Sequence, residues 1–160
     1  MGPSPASEPL MNATKVLPGH HKRCDELFAA AELAASKARW VDCRQAFEAF
    51  RHEMAAHFAT EEEVLFPAFE AESGSLSGPT RMMRLEHAQM NSLIAEAGQA
   101  AVAADANGFF GALETLLILM QQHNMKEENI LYPMCDRALP GRELDVDRAL
   151  ALRLSDRCPT

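Results

Sequence analysis

His57-Phe58-Ala59-Thr60-Glu61-Glu62-Glu63-Val64-Leu65-Phe66-Pro67 and His123-Asn124-Met125-Lys126-Glu127-Glu128-Asn129-Ile130-Leu131-Tyr132-Pro133 carry one pattern twice. Each reads His-x-x-x-Glu-Glu-x-aliphatic-Leu-aromatic-Pro, and the copies lie 66 residues apart. The same offset lays His21-x-x-Cys24-Asp25-x-Leu27-Phe28 over His87-x-x-Met90-Asn91-x-Leu93-Ile94. His21 to His57 and His87 to His123 are both 36 residues. The chain is therefore two similar halves, each with one lone His and one His-x-x-x-Glu pair.

The surroundings of these motifs are helical. Ala, Leu, Glu, Met and Gln dominate, with one Tyr and one Trp and no alternating β-branched run. Pro18 opens a first helix that runs to about Lys37, with a break at Ala38–Arg39. A second helix spans about Val41 to Ala71, with Phe47, Phe50, Met54, His57, Glu61, Val64, Leu65 and Ala68 inward. Ser73 to Pro79 reads as a loop. A third helix runs from Pro79 or Thr80 to about Ala104, with Met83, His87, Met90, Asn91 and Ile94 inward. After a break at Asp105–Gly108 a fourth covers about Phe109 to Leu139, burying Leu116, Met120, His123, Glu127, Ile130, Leu131 and Met134. Pro140–Gly141 stops it. The expected fold is all-α: an up-down-up-down antiparallel four-helix bundle with a pseudo-twofold repeat and a short extra C-terminal helix. Residues 1–15 read as a mobile tail, 16–140 as the bundle, and 141–160 as the short helix and its tail.

Positions four apart share a helix face, so His57 and Glu61 point at one spot, as do His123 and Glu127. Four imidazoles and two carboxylates in a bundle core are costly without cations. Two metal ions remove that cost: His21, His57, His87 and His123 supply nitrogens, and Glu61 and Glu127 bridge through both oxygens. Imidazole with carboxylate suits iron, and manganese or zinc as well. His20 competes with its neighbour His21, and the offset selects His21. His20 and His52 fall outside the repeat, and His52 is placed on the solvent side. Glu62 and Glu128, about 100° round the helix from the ligands, stand behind the site or on the surface. Cys24 reads as a small core residue, with redox chemistry as the alternative. Pro67 and Pro133 either kink or end their helices.

The set His21, HFATEE at 57–62 with LFP at 65–67, EHAQMN at 86–91, and HNMKEE at 123–128 with LYP at 131–133 resembles the hemerythrin-like, or HHE cation-binding, family. The resemblance covers about residues 16 to 140. It implies a carboxylate-bridged centre of two iron ions (Fe2+/Fe3+) with a bridging oxo or hydroxo group, other divalent metals entering in preparations. His21 and His57 then bind one iron, His87 and His123 the other. Oxygen-carrying members place a further His where this chain has Asn91. Asn91, one turn beyond His87, is expected to face the second iron, and Asp25 to orient a ligand histidine on the other side. The implied function is binding of dioxygen or nitric oxide for oxygen or redox sensing, storage or iron homeostasis. The alternatives are a di-iron oxidase, peroxidase or ferroxidase, or repair of iron–sulfur centres. A dedicated enzyme is the less favoured reading.

Composition narrows the setting. A formal net charge of −8 and no basic stripe argue against nucleic acid. The longest clean apolar run, Leu116 to Met120, is too short for a membrane span. The first residues lack the basic and apolar regions of a signal peptide, and Cys24, Cys43, Cys135 and Cys158 form no CxxC, so a cytoplasmic location with reduced thiols is expected. A sensing output is expected to pass through a homodimer or a protein partner.

Overall fold

The computed structural model describes residues 13–74, 78–139 and 145–155. The chain forms a helical bundle, with no strand among the described residues. Helix α1 (Ala13–Ser36) packs on α2 (Trp40–Thr60). A π-helical turn (Glu61–Leu65) carries α2 into α3 (Phe66–Ser73). Helix α4 (Pro79–Val102) packs on α5 (Ala106–Lys126), and a second π-helical turn (Glu127–Leu131) leads into α6 (Tyr132–Ala138). Helix α7 (Val146–Ser155) lies against α2, where Leu154 O accepts a hydrogen bond from His52 Nε2 at 2.8 Å. His52 is thus half-covered by α7 rather than free in solvent. Residues 1–12 of the expected tail, the centre of the 73–79 loop, the Pro140–Gly141 stop and Cys158 lie outside the described residues. Helix α1 starts well before Pro18, which sits inside it.

The buried seam explains why these helices associate. In α1 it is Leu17, His21, Cys24, Phe28, Ala31 and Ala35; in α4 it is Met83, His87, Met90, Ile94, Ala97 and Ala101. In α2 it is Cys43, Phe47, Phe50, Met54, His57 and Glu61; in α5 it is Phe109, Leu113, Leu116, Met120, His123 and Glu127. Steps of four and three alternate throughout, the spacing that keeps a helix face turned to its neighbours. Every member of the first half maps onto the second by the 66-residue offset.

The connections obey it too. Ala38 and Ala104 both take positive φ, 55° and 53°. Each closes its helix by the same pair of bonds: Arg39 N–H to Ala34 O and Asp105 N–H to Ala100 O, both at 2.9 Å, span the turn. Asp105 then caps α5 by accepting from Gly108 N–H at 3.1 Å.

Beyond Glu61 and Glu127 the expected inner stripe holds at Leu65 and Leu131, which are fully buried, and fails at the other positions. Ile130 is 54% exposed, and Val64, Ala68 and Met134 are only half-buried. Phe66, Phe69, Tyr132 and Cys135 are buried in their place. The cause is the widened turn. Phe66 N–H bonds Glu61 O and Tyr132 N–H bonds Glu127 O, a span of five residues. One extra residue in the turn rotates the next helix by about 100°, so the seam resumes one position late. Pro67 and Pro133, lacking N–H, stand just after these turns; the helix widens there and continues instead of ending.

Candidate metal centre

Two apolar clusters fill the bundle. One runs from Cys24 and Phe28 through Phe47, Phe50 and Phe109 to Met120. The other gathers Leu17, Leu65, Phe66, Met83, Leu131, Tyr132 and Leu139. In each seam the expected ligands fall between them, so a polar layer is sealed above and below by hydrocarbon. His21, His57, His87 and His123 are 1–6% exposed, and Glu61 and Glu127 are 0% exposed.

The structure brings all six together. His87 Nε2 lies 3.1 Å from Glu61 Oε1, and His57 Nε2 lies 3.4 Å from the same oxygen. His21 Nε2 and His123 Nε2 both lie 3.2 Å from Glu127 Oε1. Two groups could each hold an ion: Glu61, His87, His123 and Glu127 in one, and His21, His57 and Glu127 in the other. Glu61 Oε1, Glu127 Oε2, His87 Nε2 and His123 Nε2 are buried without a properly directed hydrogen-bond partner among the described residues. They are close to one another, yet their lone pairs and protons do not line up. Such atoms are rare in native cores, because an unmatched buried polar group costs about 1–3 kcal/mol. A cation among them satisfies them together.

Charge is unevenly held in this layer. Burial lowers His20, His21 and His57 below the usual imidazole range. Burial also pulls His87 down, but the facing carboxylates of Glu61 and Glu62 outweigh it and lift it to about 9. The two carboxylates are pushed in opposite directions. Burial and the neighbouring charge of Glu61 push Glu127 up to about 8. Burial acts on Glu61 in the same sense, but the polar groups of His57, Glu127 and His87 that face it hold it ionised.

Tyr132 enters the layer unexpectedly. Its hydroxyl lies 2.8 Å from Glu61 Oε2, 2.9 Å from Glu127 Oε1, and 3.3 Å from both His21 Nε2 and His57 Nε2. The repeat held the clue. Tyr132 maps onto Phe66, the only position of the Leu-aromatic-Pro signature where one half gains a hydroxyl. Its inward aim depends on the π-helical turn, which no period-3.6 reading anticipates.

His20 also changes standing. It is buried, its Nδ1 lies 2.8 Å from His57 Nδ1, and its Nε2 lies 3.0 Å from Glu53 Oε2. By the offset it occupies the place of Glu86, whose Oε1 accepts from His123 Nδ1 at 2.8 Å. Glu62 accepts from His87 Nδ1 at 3.0 Å, and Glu128 stands 3.5 Å from His21 Nδ1. Asn91, by contrast, is exposed. After His87 the seam steps by three to Met90, so the position four residues on turns outward. Asp25 is exposed as well and walls a groove of about 810 Å³ with His21, Phe28, Leu117, Met125 and Glu128. Cys24 is buried, and burial pushes its thiol pKa up, so it remains a thiol within the core. No helix among the described residues is long and apolar enough to cross a membrane.

The model of the hemerythrin HHE cation binding domain matches residues 12–135. No curated protein and no solved structure gives a significant match to the chain.

Proposed function

The chain belongs to the hemerythrin family of HHE cation-binding domains, and on that premise we propose that it holds two iron ions and binds dioxygen or nitric oxide. The bundle is read as up-down-up-down and antiparallel, residues 16–140 forming the domain. His21 and His57 would hold one ion and His87 and His123 the other, with Glu61 and Glu127 shared between them. The observation that carries this reading is the set of buried, mutually unsatisfied donor atoms on Glu61, Glu127, His87 and His123. When bound, the ion pair would supply one-electron redox chemistry and affinity for a diatomic ligand.

The residues around it have separable tasks. The Nδ1 partners behind His57, His87 and His123 fix Nε2 as the inward nitrogen of each. The two apolar clusters exclude water from above and below. Tyr132 holds a proton at its hydroxyl within reach of both carboxylates. The groove between α1 and α5 opens onto His21 and offers a small ligand a way in. Gas binding in the cytoplasm, read out through a homodimer or a protein partner, is the role proposed.

Tyr132 favours a second reading, oxidase or peroxidase turnover, because a buried phenol beside the site can give a proton to a reduced oxygen species. Anaerobic loading with Fe2+ followed by elemental analysis tests the first claim: two irons per chain are expected, and one or none overturns it. Rapid mixing of the loaded protein with dioxygen then separates the readings. An adduct that reverses under vacuum supports binding; repeated peroxide consumption supports turnover.

A further inference from the structure

The 66-residue offset that duplicates the inward-facing residues also duplicates their supports, and there the halves differ. In the second half both histidines lean on carboxylates. His87 Nδ1–H donates to Glu62 Oε1 at 3.0 Å, and His123 Nδ1–H donates to Glu86 Oε1 at 2.8 Å. Glu86 is itself held by the Lys126 ammonium. In the first half the equivalents are Glu128 and His20. Glu128 Oε2 stands 3.5 Å from His21 Nδ1, and that nitrogen has no hydrogen-bond partner among the described residues. His57 Nδ1 meets His20 Nδ1 at 2.8 Å, so an imidazole nitrogen takes the place of a carboxylate oxygen. The network assigns the tautomers: His57 Nδ1–H donates to His20 Nδ1, and His20 Nε2–H donates to Glu53 Oε2 at 3.0 Å.

Resting on the two-ion reading above, we infer that the two metal positions are unequal, that the His87–His123 position fills first and holds its ion more tightly, and that Glu86 and His20 are the positioning residues that set this order. Three independent features of the geometry agree. A carboxylate behind an imidazole raises its basicity and fixes its ring, and losing such a partner commonly costs 10–100-fold in metal affinity, to order of magnitude. The second half has two such partners at hydrogen-bond distance. The first has an imidazole behind His57 and, behind His21, a carboxylate that stands off at 3.5 Å without a hydrogen bond.

The inward donors differ as well. Glu61, His87, His123 and Glu127 converge as four, whereas His21 and His57 converge with Glu127 as three. Finally, the Tyr132 hydroxyl stands 3.3 Å from Nε2 of both His21 and His57. It occupies space among the donors of the first half, so an ion entering there must displace or engage it. A chain with one ion bound in the second half is therefore a distinct, populated species.

The test is calorimetric titration of the full-length metal-free protein with Fe2+ under anaerobic conditions, paralleled by Co2+ titration followed by visible absorption. Wild type is expected to bind two ions in resolved steps about 10-fold or more apart. His87→Ala should abolish the tight step, and His57→Ala should spare it. Glu86→Gln keeps the shape and removes the charge; it should weaken the tight step and leave the weak one in place. His20→Glu should tighten the weak step and bring the two together. A merely structural role for Glu86 or His20 would move both steps alike or neither, and either result overturns the inference. Two ions of equal affinity, or a tight step that is lost in His57→Ala and kept in His87→Ala, also overturn it while leaving the two-ion reading intact. Absence of binding to wild type overturns that reading itself. Far-ultraviolet circular dichroism of each variant shows whether it folds; if Glu86→Gln does not, Glu86→Asp carries the same comparison through its weaker tight step.

Discussion

Tyr132 and Glu61 meet across the bundle, the phenol hydroxyl donating to Glu61 Oε2 at 2.8 Å within a fully buried layer. Glu127 Oε1 is 2.9 Å from the same hydroxyl. Burial and the two carboxylates raise the phenol's pKa well above its usual range, so it stays a donor in the metal-free protein. Tyr132→Phe removes that donor and leaves the ionised carboxylate short of a partner. Metal-free protein should lose about 1.5–3 kcal/mol, the range for hydrogen bonds to charged groups. Iron-loaded protein should lose less, because a cation then serves the carboxylates. Urea unfolding with chelator and with iron measures both; equal losses would show that the hydroxyl serves packing alone.

Glu127→Gln mimics the protonated state that burial and Glu61 impose on Glu127. The metal-free variant should therefore unfold within about 0.5 kcal/mol of wild type, as substitutions that spare buried interactions do. The iron-loaded variant should lose metal and the stability that metal confers, since an ion bound only to the native state adds its binding free energy to folding. Iron content after gel filtration, with melting temperatures of both forms, decides. An unchanged iron content rules out Glu127 as a bridging ligand.

Asn91→His restores the histidine that oxygen-carrying members of the family place at this position. Because Asn91 is exposed and the seam passes through Met90, the new imidazole should face solvent. Iron content and the decay of the dioxygen-dependent absorption band should match wild type. A decay slowed several-fold would mean that α4 rotates when iron binds.

The connections offer a test away from the site. Ala38 and Ala104 hold left-handed backbone angles that disfavour a Cβ by about 1–2 kcal/mol. Glycine accepts these angles but loses about 0.5–1 kcal/mol in unfolded-chain entropy. Ala38→Gly and Ala104→Gly should each stabilise by about 0.5–1 kcal/mol net. Thermal or urea unfolding of the single variants checks this, and the double variant should be additive because the sites lie in separate connections.

Much of this molecule is legible in its sequence because the 66-residue offset acts on every level. It locates the six inward residues, the breaks at 38–39 and 105, and the alternating seam. Most of the remainder has one physical origin. Sequence periodicity assumes an unbroken helix, and the two π-helical turns break phase just after Glu61 and Glu127. An unbroken period therefore puts Ile130 in the core, where it is not, and passes over Tyr132. Asn91 departs for a different reason: a seam that alternates three and four has a definite phase, and His87 sits where the next step is three. His20 has no histidine 66 residues on; its counterpart is Glu86, a different residue with the same task of supporting an imidazole.

The pH dependence stems from His87 and Glu127, and it should be present in the metal-free protein and abolished in the metal-loaded one. His87 stands at about 9 in the fold against 6.5 for an unperturbed histidine. A raised folded value favours the protonated native state, so this contribution is complete below pH 6.5 and lost as pH rises through 9. Glu127 stands at about 8 against 4.5, and its contribution is likewise complete below 4.5 and lost as pH rises through 8. His20, His21 and His57 are lowered by burial; they contribute above pH 6.5 and withdraw as pH falls below it. From pH 6.5 to 9 the metal-free protein should therefore become steadily less stable. Metal binding needs Glu127 ionised and His87 neutral, so it expels protons from both, and metal affinity should rise with pH across the same interval. Urea midpoints from pH 6.5 to 9, with chelator and with saturating Co2+ as an air-stable probe, should diverge, the metal-free midpoint falling and the gap widening. Calorimetry in two buffers of different ionisation enthalpy should register net proton release on binding near neutral pH. Parallel pH profiles with no proton release would show that neither group holds a proton in the metal-free site.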